Sequence, residues 1–188
     1  MTNYRRATIT GATYFFTVNC ADRQGKALLV EHIDLLRQVV RKVKFAHPFT
    51  IDAMVVLPEH LHCIWTLPEG DADYKTRWAL IKASFSRQIP AGEWRSESRA
   101  KRGERGIWQR RYWEHLIRDD RDYSRHVDYI HWNPVKHGWV TRVSDWPHSS
   151  FHDYVKQGLC PADWAGKPGD LGDVGEMGVL CAGQHADD

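Results

Sequence analysis

Two histidines separated by a single residue, His60 and His62, lie in a largely apolar run from residue 55 to residue 67. Side chains alternate across a β-strand, so residues two apart project from the same face. The other face of such a strand is then apolar, with Leu61, Cys63, Trp65 and Leu67. The run predicts a strand that is buried on one face and carries half of a metal site on the other. An isolated pair is more often ordinary packing, so a third ligand is needed.

A third ligand is available from a predicted helix in the segment 119–134. An aspartate at 119 or 120 can cap its start, and Pro134 disfavours helical geometry at Asn133, so we expect the helix to end near that asparagine. Successive residues of a helix lie about 100° apart around its axis, and with this spacing one side of the predicted helix is apolar and the other is polar. The apolar side holds Tyr123, Val127 and Ile130; the polar side holds Asp122, His126, Tyr129 and Asn133. These positions around the helix axis predict that Tyr129 is available as a reactive group and that Tyr123 packs in the core.

Four blocks of the chain together resemble a known family. They are Tyr4-Arg5-Arg6 with residues 15–19, residues 57–65, residues 107–109 with 113–115, and residues 126–130 running into 133–138. In this order they resemble the single-tyrosine HUH transposases (histidine, hydrophobic residue, histidine), and within them the bacterial REP-associated tyrosine transposases. The resemblance covers residues 4 to 155.

The resemblance implies a role for each residue of the site. His60, His62 and Asn133 would be metal ligands, and Tyr129 would be the nucleophile. Tyr4, Arg5 and Arg6 would help to recognise a short single-stranded tetranucleotide. The implied function is that of a metal-dependent, sequence- and structure-specific endonuclease and strand transferase for single-stranded DNA. Its partner would be a hairpin formed by repetitive palindromes, and the chain would act as a monomer or a homodimer.

The chemistry also follows from the residue types. A phosphodiester repels nucleophiles, and a divalent ion offsets its charge; imidazole and amide ligands suit Mg²⁺ or Mn²⁺ better than structural zinc. Attack by Tyr129 would give a 5′-phosphotyrosine, which stores the bond energy for rejoining. A phenol with a pKa of roughly 10 needs assistance at neutral pH. Asp122 and His126 are candidates for this catalytic support, although either could equally be a solvated charge.

Length and composition predict one domain, residues 1–155, followed by a flexible extension, residues 156–188. With 188 residues and 42% hydrophobic content the chain can form a substantial core. The sequence has no apolar run of membrane-spanning length and no leader peptide, so we expect a cytoplasmic protein without a membrane partner. The four cysteines are scattered, which favours reduced thiols.

Charge is distributed unevenly along the chain. Residues 75–125 contain fourteen Lys and Arg against seven Asp and Glu, whereas residues 165–188 contain one Lys against five acids. We expect the basic middle to follow a phosphate backbone, with its tryptophans available for base stacking or buried in the core. The candidate DNA-binding residues here are Arg102, Arg105, Arg110 and Arg111, and residues 93–106 are predicted to form an exposed loop. The acidic tail is expected to compete with DNA for this basic region.

The element order predicts an α+β fold. We expect strands at 13–19, 51–57, 61–67 and 107–117, and helices at 27–46, 74–88 and 119–133. The first six of these match a ferredoxin-like antiparallel sheet with helices on one face. A non-catalytic ferredoxin-like module that binds single-stranded nucleic acid is the alternative hypothesis, and a replication or mobilisation initiator is the alternative among enzymes. The intact set of His60, His62, Tyr129 and Asn133 favours the transposase.

Overall fold

The computed structural model describes residues 8–21 and 27–166. Within these residues the strands are β1 (Thr13–Asn19), β2 (Thr50–Val56), β3 (His60–Thr66) and β4 (Trp113–Leu116). The helices are α1 (Leu28–Glu31), α2 (Ile33–Ala46), α3 (Tyr74–Gln88), α4 (Glu97–Lys101), α5 (Asp120–Lys136) and α6 (Phe151–Lys156), with a 3₁₀ turn at Val143–Asp145.

The four strands form one antiparallel sheet in the order β2-β3-β1-β4. This order and the sequence of helices confirm the predicted ferredoxin-like α+β fold. The central pair β1 and β3 places Thr17 opposite His62 and Asn19 opposite His60. β4 is shorter than the predicted strand at 107–117, because Trp108 makes only an isolated bridge to Cys20 before the chain rejoins the sheet at Trp113.

One face of the sheet is packed under α2 and α3. Its core contains Leu61, Cys63, Trp65 and Leu67, the four residues predicted to form the apolar face of the histidine strand. The helix predicted at 27–46 is instead divided at His32, whose φ of −111° departs from helical geometry. The short α1 that precedes this break is anchored elsewhere, since the Leu29 N–H donates to the Pro58 carbonyl.

The opposite face is covered by α5. Asp119 caps this helix by accepting a hydrogen bond from the Asp122 N–H, as predicted. The predicted end near Asn133 is wrong, because α5 continues through Pro134 to Lys136. Asn133 and Pro134 are both buried, so packing is available to offset the main-chain hydrogen bond that proline cannot make.

Tyr123 packs against the core as expected, but Tyr129 is the more deeply buried of the two tyrosines. Tyr129 is 1% exposed and packs on the sheet with Phe15 and Ile64, whereas Tyr123 is only partly buried at the edge of this cluster. The buried face of the helix therefore combines Val127 and Ile130 with residues of the predicted polar side. The sheet also contributes buried polar groups, including His62 and Thr17.

The chain beyond the predicted domain boundary at 155 is described only to residue 166. α6 crosses this boundary, and the Trp164 ring lies 6.1 Å from that of Phe151. The acidic tail from residue 167 and the cluster of Tyr4, Arg5 and Arg6 lie outside the described residues, so the predictions for them stay untested. Among the described helices, none is long and apolar enough to cross a membrane. Cys20, Cys63 and Cys160 are free thiols.

Candidate active site

The two histidines of β3 lie on the face covered by α5, and both are buried: His60 is 4% and His62 1% exposed. Nδ1 of His60 lies 3.2 Å from a carboxylate oxygen of Glu59, and Nδ1 of His62 lies 2.9 Å from the Thr17 hydroxyl. The hydrogen bond with His60 is the main reason why the pKa of Glu59 is lowered. An ionised carboxylate only accepts hydrogen bonds, so Nδ1 of His60 donates and Nε2 is the nitrogen suited to bind a metal.

Helix α5 brings Tyr129 to these histidines. The Tyr129 ring stands edge-on to His62 with centroids 5.2 Å apart, and the rings of His60 and His62 are 4.9 Å apart. Phe15 supports the group from β1, with its ring stacked on His62 at 5.6 Å. Three elements that are far apart in sequence therefore meet at one polar, largely buried position.

Asn133 lies one helical turn after Tyr129 and is fully buried. Its amide oxygen and nitrogen make no hydrogen bond to any of the described residues. Burying polar atoms in this way costs about 1–3 kcal/mol, so such a side chain calls for a functional explanation. Asn133 lies between Tyr129, whose ring contacts His62, and His137, whose ring contacts His60, and an amide oxygen is a ligand type that suits a divalent cation.

Comparison with known proteins identifies the family to which this arrangement belongs. No family model matches the chain. The REP-associated tyrosine transposase of Escherichia coli (strain K12) is 52% identical over 166 residues, which cover 88% of this chain and 92% of that protein. The chain belongs to the REP-associated tyrosine transposases.

Two further comparisons agree with this assignment. A relative from Haemophilus influenzae (strain ATCC 51907 / DSM 11121 / KW20 / Rd) is 48% identical over 170 residues, covering 89% of this chain and 96% of that protein. A solved structure of the REP-associated tyrosine transposase bound to a REP hairpin superposes with a TM-score of 0.79 at 50% identity, covering 95% of this chain and 99% of that one. The family confirms both the fold and the expectation of a transposase enzyme, rather than a module that only binds nucleic acid.

Two residues of this transposase that the sequence argument missed also lie at the site. The Lys136 ammonium stands over the Tyr129 ring, 4.9 Å from its centroid, and the His137 ring lies 5.1 Å from that of His60. Lys136 follows Tyr129 by seven residues and His137 follows Asn133 by four. These spacings are about two turns and one turn of a helix, so helical periodicity places Lys136 on the side of Tyr129 and His137 on the side of Asn133. The assumption that the helix ends at Asn133 concealed them.

Asp122 and His126, the candidates for catalytic support, form a cluster with His115 of β4. Nε2 of His115 lies 2.8 Å from one Asp122 oxygen, and Nδ1 of His126 lies 3.2 Å from the other. Burial lowers the pKa of His126. Burial opposes ionisation of Asp122, but hydrogen bonds from His115 and the Arg118 N–H outweigh it and lower its pKa. The Phe15 ring contacts both His126, at 4.7 Å, and Tyr129, at 6.0 Å.

The four candidate DNA-binding arginines differ in their surroundings. Arg105 pairs with Glu93 and donates to the main-chain carbonyls of Ser86 and Ile89, so it fastens the segment after α3. Arg110 is exposed and pairs with Glu104 at 2.7 Å. Arg102 and Arg111 are exposed. The residues from 93 to 106 are therefore more ordered than predicted, since they also contain α4.

The four tryptophans of the basic region differ in exposure, and Trp113 is partly buried. Trp78 and Trp108 are buried in the core, at 1% and 6% exposure, and cannot stack on DNA bases without local unfolding. Trp94 is 83% exposed. Of the aromatic residues proposed to interleave with the basic charges, Trp94 has the exposure that base stacking requires.

Proposed function

We propose that this transposase cuts and rejoins single-stranded DNA beside hairpins of short repeated palindromes, through a covalent bond between Tyr129 and a 5′-phosphate. The observation that carries the proposal is the approach of Tyr129, on α5, to His62, on β3. A nucleophile beside a prospective metal ligand is the arrangement that phosphodiester cleavage requires. The choice of a hairpin follows from the solved relative, which is bound to a REP hairpin.

His60, His62 and Asn133 are proposed to hold a divalent ion, Mg²⁺ or Mn²⁺. The buried and unsatisfied amide of Asn133 supports this assignment. When bound, the ion would polarise the scissile phosphate and offset its negative charge. Glu59 and Thr17 would fix the two imidazole rings through their Nδ1 atoms.

The covalent step is carried by Tyr129. Its phenolic oxygen gives up its proton to solvent and attacks phosphorus, and the bond from phosphorus to the 3′ oxygen of the preceding nucleotide breaks. That oxygen takes up a proton from solvent and leaves as a 3′-hydroxyl. Attack by such a hydroxyl on the phosphotyrosine reverses the step and joins the strands without an external energy source. The positive charge of Lys136 above the ring favours the phenolate form that must develop.

Asp122 and His126 are proposed to support this step by position. Both side chains are engaged with each other and with His115, at the first turns of the helix that carries Tyr129. They would thus hold the start of α5 against β4 and, through Phe15, the packing around the nucleophile. Their removal is expected to slow cleavage while leaving the affinity for DNA close to that of the parent protein.

The DNA backbone is proposed to follow the exposed basic surface around Arg102, Arg110 and Arg111, with Trp94 stacking on an unpaired base. Tyr4, Arg5 and Arg6 are proposed, on the family resemblance alone, to bind the single-stranded tetranucleotide. Arg105 is expected to contribute less to binding, because Glu93 already neutralises its charge. Binding should weaken steeply with salt, as it does when several cationic side chains displace counterions.

The test is a denaturing gel of end-labelled DNA hairpins with a single-stranded flank, incubated with the protein and Mg²⁺ or Mn²⁺. We expect a cut strand and a slower band of DNA attached to protein, both abolished by chelator. Tyr129→Phe should give neither band, while Tyr123→Phe should give both. Equal cutting of the hairpin and of a fully paired duplex would refute a single-strand mechanism, and cleavage without an adduct would refute the phosphotyrosine.

A further inference from the structure

A second group of metal-binding side chains lies beside the active site but outside it. His115, Asp122 and His126 place one ligand atom each within 4.8 Å of one another. They come from two elements, since His115 is on β4 and the other two are on the first turns of α5. The Phe15 ring stands at 4.7 Å from His126 and at 5.6 Å from His62, so a phenyl ring links the two groups of histidines.

We propose that His115, Asp122 and His126 form a second metal site, for a divalent ion of the zinc class, that ties β4 to α5. Two imidazoles and a carboxylate are a common donor set for such ions, and Asp122 supplies a negative charge that the neutral amide of Asn133 does not. The ion would be structural for this helix. The proposal does not depend on the function proposed for His60, His62 and Tyr129.

The distances within the cluster suit a small cation. The carboxylate of Asp122 lies between the two rings, 2.8 Å from Nε2 of His115 and 3.2 Å from Nδ1 of His126. Ligand atoms around a tetrahedral ion with bonds of about 2.0–2.1 Å stand roughly 3.3 Å apart, and the atoms of this cluster, all within 4.8 Å of one another, would move closer to this spacing on binding. Binding would displace the protons that these nitrogens share with Asp122, including that of the 2.8 Å hydrogen bond from His126 to the Asp122 carbonyl.

The surroundings also favour an ion. The side chain of His126 is 5% exposed, while those of His115 and Asp122 are 20% exposed, so an ion can enter and a water molecule can complete its coordination. Trp113 stacks on His115 at 5.7 Å, and His115 stacks on His126 at 4.7 Å. This stack restricts both imidazoles before an ion arrives, which lowers the entropic cost of binding. The Arg118 N–H, 3.1 Å from an oxygen of Asp122, orients the carboxylate further.

The test counts zinc ions on the full-length protein by competition with a chromophoric chelator. The parent protein should bind one more Zn²⁺ than His115→Gln, which keeps a hydrogen-bond donor towards Asp122 but loses the imidazole. A matched control is His152→Gln, because His152 is also half-buried and bonded through Nε2 to one acceptor, the Trp146 carbonyl. If His115→Gln fails to fold, Asp122→Asn replaces it. We expect Asp122→Asn to bind this zinc ion at least tenfold more weakly than the parent protein does.

Thermal melts give a second measurement. Zinc should raise the Tm of the parent and of His152→Gln by the same amount, and raise that of His115→Gln by less. The double variant His60→Ala with His62→Ala should retain the zinc ion that His115→Gln loses. The proposal is overturned if His115→Gln binds as many ions as the parent, or if the zinc-dependent part of the Tm disappears with His60 and His62 instead. If His115→Gln has a lower Tm than the parent with or without zinc, and loses no ion, the proposal is also overturned. The cluster would then join β4 to α5 through hydrogen bonds alone.

Discussion

The two faces of the sheet bury different kinds of side chain. Under α2 and α3 lies a large apolar cluster, in which Trp65 and Trp78 stack at 4.2 Å with an interplanar angle of 13°. Under α5 the buried groups include His62, Tyr129 and Asn133. Burying polar groups costs stability unless they are paired, and burying aromatic rings supplies it. The apolar face thus stabilises a fold whose other face carries the residues of the proposed active site.

The largest contrast is expected at Tyr129. Tyr129→Phe should reduce strand cleavage and adduct formation to background, because the proposed nucleophilic oxygen is gone. Its free energy of unfolding should change by less than about 1.5 kcal/mol, since the buried ring is kept. Tyr123→Phe is the control, as its hydroxyl makes only a 3.4 Å contact with that of Tyr154. Activity in Tyr129→Phe combined with inactivity in Tyr123→Phe would mean that the catalytic face has been misassigned.

Substitution of Asn133 should affect activity and stability differently. Asn133→Ala is expected to lose metal-dependent cleavage while its free energy of unfolding, measured without metal, stays within about 1 kcal/mol of the parent. The lost packing is offset because two buried polar atoms without hydrogen bonds are removed. Denaturant unfolding and the cleavage gel give the two readouts. A large destabilisation without metal would instead make Asn133 a structural residue and blur the distinction between the faces.

The apolar face should respond in the opposite way. Trp65→Ala should lower the free energy of unfolding by about 3–5 kcal/mol, because it removes a fully buried ring stacked on Trp78. The fraction that stays folded at low temperature should cleave at a rate close to that of the parent. Urea unfolding and single-turnover cleavage check the two parts. A folded Trp65→Ala protein without activity would show that the two faces are coupled.

The smallest effect is expected where an ion pair fastens the end of α3, on the apolar side. The hydrogen bond from Arg105 lowers the pKa of Glu93 to about 2. Because this folded pKa lies below the unfolded one, the stabilisation is complete above about pH 4.5 and is lost as the pH falls towards 2. Arg105→Ala should cost about 1 kcal/mol at pH 7. That cost should shrink over this pH window.

The matched control for this prediction is Arg110→Ala, which removes an exposed pair with Glu104. It should leave the Tm unchanged at every pH, since exposed ion pairs contribute little. Thermal melts from pH 7 to pH 2.5 test both variants. A cost of Arg105→Ala that stays constant with pH would assign its role to the main-chain carbonyls of Ser86 and Ile89, not to Glu93.

Local patterns in the sequence predicted much of the scaffold. The strand at 13–19 and the helix at 74–88 have the expected bounds, because their side-chain periodicity and the residues at their ends act over a few neighbours. The alternation in β3 placed His60 and His62 opposite an apolar face for the same reason. The helix break at His32 and the short β4 were missed, because both depend on contacts with distant parts of the chain.

The sequence by itself determined that two imidazoles share one side of a strand and that Tyr129 and Asn133 share one side of a helix, since both relations follow from the period of the element. Only the tertiary structure decided that these sides face each other, that Thr17 meets His62, and that α5 continues past Pro134 to bring Lys136 over Tyr129. Strand register and helix docking arise from contacts between segments far apart in the chain. No local period encodes them.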